Sequence, residues 1–345
     1  MDIYELVFGT PLGSQHKVHC CFHSENEASA YISPEGMYHC FGCNASAHDE
    51  TTFIYKYFNL TSMKEANDIK YKLSCIQKKY TPNTTDVTDE QRKYLNSIGI
   101  IDPIIDKYFR RKKSDNSLIS WRTWNGAFVG YTVFNNPILS TYNASFEKYK
   151  YSPNTIAGSC SPADIVDTKN AIIITEGEKD CFVLMSQGHK ASVSKLGGAN
   201  SNILAYQGFK DKTIAIIYDC DDAGRQGAIK DAVTLMNKCN CKVRVIDLGL
   251  GDKEDLTDYF MKYNHTLQDL YKLINNTSYF IIPPEYLETP AQKMYKECIK
   301  LSYNDLIELR DKLTTRINNY TFNNTDSNNT EKVYEESIDI YTEKI

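Results

Sequence analysis

Two groups of side chains in this sequence have the types and spacing to do chemistry. The first is Cys20-x2-His23, followed after sixteen residues by Cys40-x2-Cys43. Thiolate and imidazole are the ligands of closed structural zinc sites, and a tetrahedral ion needs each close pair on one tight turn. The chain between the pairs must fold back, and it has the means: residues 28–33 read as a strand, Pro34-Glu35-Gly36 as a turn and residues 37–40 as the return strand. That arrangement is a zinc ribbon. His19, Cys21 and His39 adjoin the four positions and could replace a ligand, Cys21 above all. Of the other seven cysteines only Cys239 and Cys241 lie close together, at a helix-to-strand corner where packing is the simpler role.

The second group is acidic. Glu176 follows the apolar run 171–175, and the alternating pair Asp219 and Asp221 follows the run 213–218. A further acidic stretch, Asp252 to Asp258, follows a run at 242–248 and adds Asp255 as a candidate. In an open α/β sheet the carboxyl ends of the strands share one crevice, so these carboxylates should converge. Converging carboxylates repel one another unless hard cations neutralise them, and Mg²⁺, with Mn²⁺ as a substitute, suits carboxylate and phosphate oxygens. Glu178 is a secondary candidate. Gly197 and Gly198 follow the run 191–195 and allow a close backbone approach to phosphate. Divalent cations beside phosphates mean phosphoryl or nucleotidyl transfer, or phosphodiester hydrolysis.

The elements that must position these groups are legible from periodicity. Strand-like runs at 171–175, 191–195, 213–218 and 242–248 alternate with helical stretches at 179–187 and 222–238, which implies a mostly parallel sheet with crossover helices. Upstream, 62–79 reads as a basic amphipathic helix and Tyr80-Thr81-Pro82-Asn83-Thr84-Thr85-Asp86 as a linker. A helical stretch at 89–99 precedes the basic run Lys107, Arg110, Arg111, Lys112 and Lys113, for which a solvated loop and a template guide are the two readings. With Trp121 and Trp124 nearby, that run could guide a single strand by charge and stacking. Asn125-Gly126 within 118–134 is a strong hairpin signal. After Pro283-Pro284 the chain turns helical to about residue 319, and an Asn/Thr/Ser-rich stretch leads into an acidic tail. The divisions are therefore 1–79, a linker 80–86, 87–168, 169–282 and 283–345.

Length and composition set the outer limits. The 345 residues suit two or three domains, and 41% hydrophobic with 24% charged residues is globular. A net charge of -5 argues against a generic polycationic nucleic-acid coat while allowing a local basic groove. No apolar run approaches the ~18 residues of a membrane span. The start, Met1-Asp2-Ile3-Tyr4-Glu5, lacks the basic and apolar regions of a signal peptide, so a cytoplasmic protein is expected.

The motifs also carry a family resemblance. Ile174-Thr175-Glu176-Gly177-Glu178-Lys179-Asp180 with Tyr218-Asp219-Cys220-Asp221 resembles a Toprim domain. Cys20-Cys21-Phe22-His23 with His39-Cys40-Phe41-Gly42-Cys43 resembles the zinc domain of DnaG-type bacterial and phage primases. Asn125 to Tyr131 and Lys148-Tyr149-Lys150-Tyr151-Ser152-Pro153 are similar to the core just upstream of the Toprim fold in those primases. The family commonly has an arginine after the Gly-x-x-Gly-Tyr-like stretch, where this chain has Val133-Phe134-Asn135-Asn136. The resemblance implies an α/β Toprim-type parallel sheet core, an α+β basic subdomain, an N-terminal zinc ribbon and a helical C-terminal extension. It further implies a DNA primase that makes short RNA primers on single-stranded DNA from ribonucleoside triphosphates. Zn²⁺ would be structural and Mg²⁺ catalytic, held by Glu176, Asp219 and Asp221 with Asp255 secondary. Lys148, Lys150, Lys195 and Arg225 would meet triphosphate or template phosphates, and Arg110 and Arg111 the template. The chain has no Gly-Lys dipeptide and hence no Walker A loop, so a helicase would be a separate partner, docked by residues from about 285 onward. The rival readings are a non-catalytic zinc-bearing helicase adaptor that binds single-stranded DNA, and a Toprim nuclease or topoisomerase. An Asn/Lys/Tyr/Ile-rich composition suggests a bacteriophage and, with it, the host cytoplasm.

Overall fold

The computed structural model describes residues 2–9, 16–79, 82–124, 127–134, 149–153, 155–162, 171–287 and 303–323. The N-terminal part is an antiparallel four-stranded sheet, β1 (His16–Val18), β2 (Ala30–Ile32), β3 (Tyr38–Cys40) and β4 (Ser46–Ala47), in sequence order. The period of two buries Ala30, Ile32, Tyr38 and Cys40 on one face. Gly36, at φ 86°, closes the β2–β3 turn. Helices α1 (Ile3–Phe8), α2 (Glu50–Tyr57) and α3 (Met63–Lys79) belong to the same layer, with α2 capped by Asp49, whose carboxylate accepts the Thr52 N–H at 2.7 Å. Phe53 is the centre of this small core, with ring centroids of Tyr4 and Tyr38 at 4.8 and 5.1 Å.

Helices α4 (Asp89–Ser97) and α5 (Asp102–Tyr108) lead into a second antiparallel sheet of β5 (Thr84–Thr85), β6 (Phe109–Lys112), β7 (Leu118–Trp124), β8 (Ala127–Phe134) and β9 (Tyr149–Tyr151). One expectation changes here: the stretch read as a linker contains β5, which pairs Thr84 with Lys112. Of the two readings left open for the basic run, template guide or solvated loop, the loop does not hold for Arg110 to Lys112, which lie in β6. The Asn125-Gly126 turn lies outside the described residues, although the strands flanking it pair Trp124 with Ala127.

The third sheet has the order β10 (Cys160–Ser161), β12 (Ser192–Lys195), β11 (Ile172–Thr175), β13 (Thr213–Ile217), β14 (Lys242–Val245). The four strands β11 to β14 are parallel and β10 runs against β12. Every residue of β11 and β12 is buried, as expected for strands covered on both faces. Helix α6 (Glu178–Ser186) links β11 to β12, α7 (Asp222–Cys239) links β13 to β14, and α8 (Leu256–Met261) and α9 (Leu267–Asn276) follow. Because β12 lies on one side of β11 and β13 on the other, the strand order reverses at β11. That reversal places the crevice at the carboxyl ends of β11 and β13.

Residues Met1–Phe280 form one unit and Ile281–Ile345 another, described here only through residue 287 and by α10 (Tyr303–Asn323). Within the first unit the zinc-ribbon layer is not separate. Tyr57 meets Tyr206 at 5.9 Å, Phe58 meets Trp124 at 5.6 Å, and Trp124 meets Tyr206 at 4.7 Å, all buried. Asn59 adds polar ties, accepting from Gln207 Nε2 at 3.1 Å through its side chain and from Lys238 Nζ at 2.9 Å through its carbonyl. Trp124, expected to stack on a template, is instead a core residue of this seam.

Candidate functional site

The first site is built by the two turns that flank the β2–β3 hairpin. The ligand atoms of Cys20, His23, Cys40 and Cys43 all lie within 4.8 Å of one another. Cys20 Sγ is 3.7 Å from Cys43 Sγ, and Cys40 Sγ is 3.8 Å from His23 Nδ1. A tetrahedral ion with Zn–S bonds of about 2.3 Å separates its sulfurs by about 3.8 Å, so the donor set fits zinc in number, type and spacing. Outer contacts support it. His23 Nε2 lies 3.2 Å from a Glu25 carboxylate oxygen, which leaves Nδ1 to face the site. Tyr38 donates to Cys20 Sγ at 3.0 Å, and the Cys43 N–H donates to Cys40 Sγ at 3.4 Å. Gly42 permits this approach, since a Cβ there would stand 2.8 Å from His23 Nε2. Cys21, left open as a ligand in sequence, is outside the group and packs against the aromatic core.

The second site occupies the crevice predicted by the strand order. Oxygens of Asp180, Asp219 and Asp255 lie within 4.8 Å of one another. Asp219 follows β13, Asp180 stands in the first turn of α6 and Asp255 is the N-cap of α8. Sequence reading assigned no role to Asp180. The usable signal was its position four residues after Glu176, because a side chain in the first turn of a helix leans back toward the strand end that feeds it. The Thr257 N–H and hydroxyl donate to its Oδ1 at 3.0 and 2.6 Å.

Glu176 and Asp221 flank that trio rather than belong to it. The Ala199 N–H donates to Glu176 Oε1 at 3.1 Å and the Asp219 backbone also faces this carboxylate, whereas Glu176 Oε2 is buried with no hydrogen-bond partner at bonding distance among the described residues. Asp221 caps α7, accepting the Gly224 N–H at 2.7 Å. Burial, followed by the charges of Asp180, Glu176 and Asp255, pushes the Asp219 carboxyl up to about 7. Burial and then Asp255 push Asp180 up to about 6 against the opposing Lys179, while burial raises Glu176. Lys179 Nζ sits 2.6 Å from Asp255 Oδ2 and 3.9 Å from Asp180 Oδ1, supplying part of the missing positive charge. Crowded carboxylates and an orphaned buried carboxylate oxygen are the donor set a hard divalent cation requires.

Other expected residues fall elsewhere. Glu178 is not in the crevice: it accepts from Ser120 and Thr132 hydroxyls at 2.7 and 3.0 Å, tying α6 to the middle sheet, and burial raises its carboxyl. Lys195 is fully buried against Asp231 at 2.6 Å and so does not reach phosphates. Arg225 is half-exposed, 3.2 Å from Asp222, and lines the same cleft as Asp219. Arg110 donates to the Asp106 and Phe109 carbonyls and Arg111 to Asn116, so both lie along β6 with backbone or local partners. Lys150 pairs with Val133 in the β8–β9 ladder, and Lys148 lies outside the described residues. Arg122, not singled out in sequence, is buried on β7 and donates to Ser152 and Thr155 hydroxyls at 2.9 and 2.6 Å, while its Nε and Nη1 have no hydrogen-bond partner among the described residues.

A four-stranded ribbon with a Cys/His cluster is followed in this chain by a mostly parallel sheet with an acidic crevice, and known families match both segments. Residues 5–84 match the CHC2 zinc finger of the DnaG zinc ribbon, and residues 173–260 match the Toprim-like family. The DNA primase of Aquifex aeolicus (strain VF5) is 24% identical over 332 residues, covering 77% of this chain and 64% of the relative. The chain thus spans 64% of that relative's length. Among solved structures, the zinc-binding and RNA polymerase domains of the Aquifex aeolicus primase align at 18% identity and a TM-score of 0.46, over 87% of this chain and 84% of that one. The primase fragment of the bacteriophage T7 primase-helicase aligns at 18% and 0.41, over 73% and 97%.

Proposed function

We propose that this protein is a DNA-dependent primase that joins ribonucleotides on a single-stranded DNA template. The observation that carries the reading is the co-occurrence, in one chain and in this order, of a CHC2 zinc ribbon and a Toprim acidic crevice. Zn²⁺ would be structural, its four positions closed by Cys20, His23, Cys40 and Cys43. Asp180, Asp219 and Asp255, with Glu176 and Asp221 at the edge, would hold Mg²⁺. When bound, that cation supplies charge stabilisation to the triphosphate and lowers the pKa of the attacking hydroxyl. The primer 3′-oxygen attacks the α-phosphorus, the bond to the β-phosphate oxygen breaks, pyrophosphate leaves and the hydroxyl proton passes to solvent.

The chain's own residues then have separable tasks. Burial and the neighbouring carboxylates push the Asp219 carboxyl up to about 7, and a cation held there would favour its ionised form. Lys179 holds Asp255 in place at the rim through their 2.6 Å ion pair. Arg225, half-exposed beside Asp219, meets phosphate oxygens of the incoming nucleotide. The ribbon reads the template, and residues beyond 285 engage a separate helicase. Incubating the zinc-loaded protein with ribonucleoside triphosphates, Mg²⁺ and a single-stranded oligonucleotide should yield short RNA whose sequence follows the template. Cleavage of the oligonucleotide without RNA product would favour a Toprim nuclease, and neither product would favour an adaptor.

A further inference from the structure

Beneath the crevice lies a buried ion pair that the catalytic reading leaves unused. Lys195, the last residue of β12, and Asp231, in the middle of α7, have side chains with 0% exposure, and their charged atoms are 2.6 Å apart. The surroundings are fully organised. Lys195 Nζ also donates to the carbonyls of Ser201 and Ala199 at 3.0 and 3.4 Å and lies 4.9 Å above the Tyr218 ring. Asp231 accepts the Tyr218 hydroxyl at 2.6 Å on one oxygen and the Ile203 N–H at 3.0 Å on the other.

These contacts clamp one loop. Residues 196–201 run over the ammonium, with Gly197 and Gly198 in the left-handed region at φ 97° and 64°. From above, α7 presses on the same loop so closely that a Cβ at Gly227 would stand 2.9 Å from the Ala199 carbonyl oxygen. The product of this clamping is the Ala199 N–H aimed at Glu176 Oε1, on a carboxylate that also faces the Asp219 backbone, while Glu176 Oε2 is buried with no hydrogen-bond partner at bonding distance among the described residues. Tyr218 links the same ion pair to the other strand end, since Asp219 is the next residue.

We propose that Lys195 and Asp231 are positioning residues for the acidic crevice, fixing loop 196–201 so that Ala199 orients Glu176 with one oxygen free for a divalent cation. The role rests on the reading of the crevice as a cation site. A buried ion pair is a poor device for stability, because well-packed apolar residues of similar volume often hold a fold as well or better. Its value here is directional: three donors on one ammonium fix two carbonyls of a glycine-rich loop that packing alone would leave free to slide. Outer groups that orient a ligand in this way commonly account for about 10–100-fold in metal affinity.

The test separates orientation from folding. Mn²⁺ binding to the full-length, zinc-loaded protein is measured by electron paramagnetic resonance for wild type, Glu176→Gln, and the double variant Lys195→Met with Asp231→Leu. The double variant should keep zinc and its cooperative unfolding yet bind Mn²⁺ about 10–100-fold more weakly, as Glu176→Gln does. A folded double variant with wild-type Mn²⁺ affinity overturns the proposal. Asp231→Asn, which preserves volume but removes the charge and turns one of the two acceptor oxygens into a donor, gives the same reading if the double variant does not fold: weakened Mn²⁺ binding supports the role and unchanged binding overturns it. Absence of Mn²⁺ binding in the wild type overturns the cation site itself, and the positioning role with it.

Discussion

Replacing Phe58 by alanine should lower the stability of the whole unit from Met1 to Phe280, not only that of the zinc ribbon. Phe58 is 1% exposed and packs edge-on against Trp124 at 5.6 Å and Tyr57 at 5.0 Å. Deleting such a side chain costs about 3–5 kcal/mol in lost burial and cavity formation. For a cooperative unit of that length, with an unfolding entropy of about 2.1 cal/mol/K per residue, the loss lowers the melting temperature by roughly 5–9 °C. Phe41, 73% exposed on the same ribbon, is the matched control, and its alanine variant should stay within about 0.5 kcal/mol of wild type. Differential scanning calorimetry of the zinc-loaded proteins reads both. One transition that moves down as a whole in Phe58→Ala is the expected record. Two transitions, with only the smaller one displaced, would refute the shared core and make the ribbon an independent domain.

Further expectations concern the metal sites and their supports. Cys40→Ser should abolish bound zinc by elemental analysis, whereas Cys21→Ser, outside the ligand group, should retain it; the opposite pattern would exchange their roles. Gly42→Ala should weaken zinc retention against a chelator, because the added methyl meets His23 Nε2 and Ser29 Oγ. Glu178→Ala should leave the Ser120 and Thr132 hydroxyls unpaired and destabilise the protein by about 2–5 kcal/mol, read by urea unfolding, while Mn²⁺ affinity stays unchanged. Asp180→Asn should reduce primer synthesis about 100-fold or more with the circular dichroism spectrum intact, and near-normal synthesis would remove Asp180 from the site.

The Cys20, His23, Cys40 and Cys43 cluster was legible because its geometry is local: two x2 turns and a hairpin lie within 24 residues, Cys20 to Cys43. The crevice was legible at one remove, since apolar runs give strand ends and parallel topology gathers strand ends. Asp180 escaped because its approach depends on where α6 begins, which periodicity does not fix. Lys195 was misplaced for a different reason. A lysine after Ser192-Val193-Ser194 reads as surface, and the partner that lets it be buried, Asp231, is 36 residues away on another element. Trp124 was drawn toward a template by the neighbouring basic run, yet its ring is covered by Phe58 and Tyr206, residues far apart in the chain. The division at 80–86 came from polar linker composition, and composition carries no information about the aromatic seam that joins the layers on either side.

The most direct measurement of the central claim is the Mg²⁺ dependence of template-directed ribonucleotide incorporation by the wild type and by Asp219→Asn, both confirmed folded and zinc-loaded. The account predicts RNA synthesis that rises with Mg²⁺ in the wild type and is lost, or nearly lost, in the variant, because Asp219 lies within 4.8 Å of both Asp180 and Asp255 at the centre of the crevice. Wild-type synthesis by Asp219→Asn, with an unaltered Mg²⁺ requirement, would contradict it.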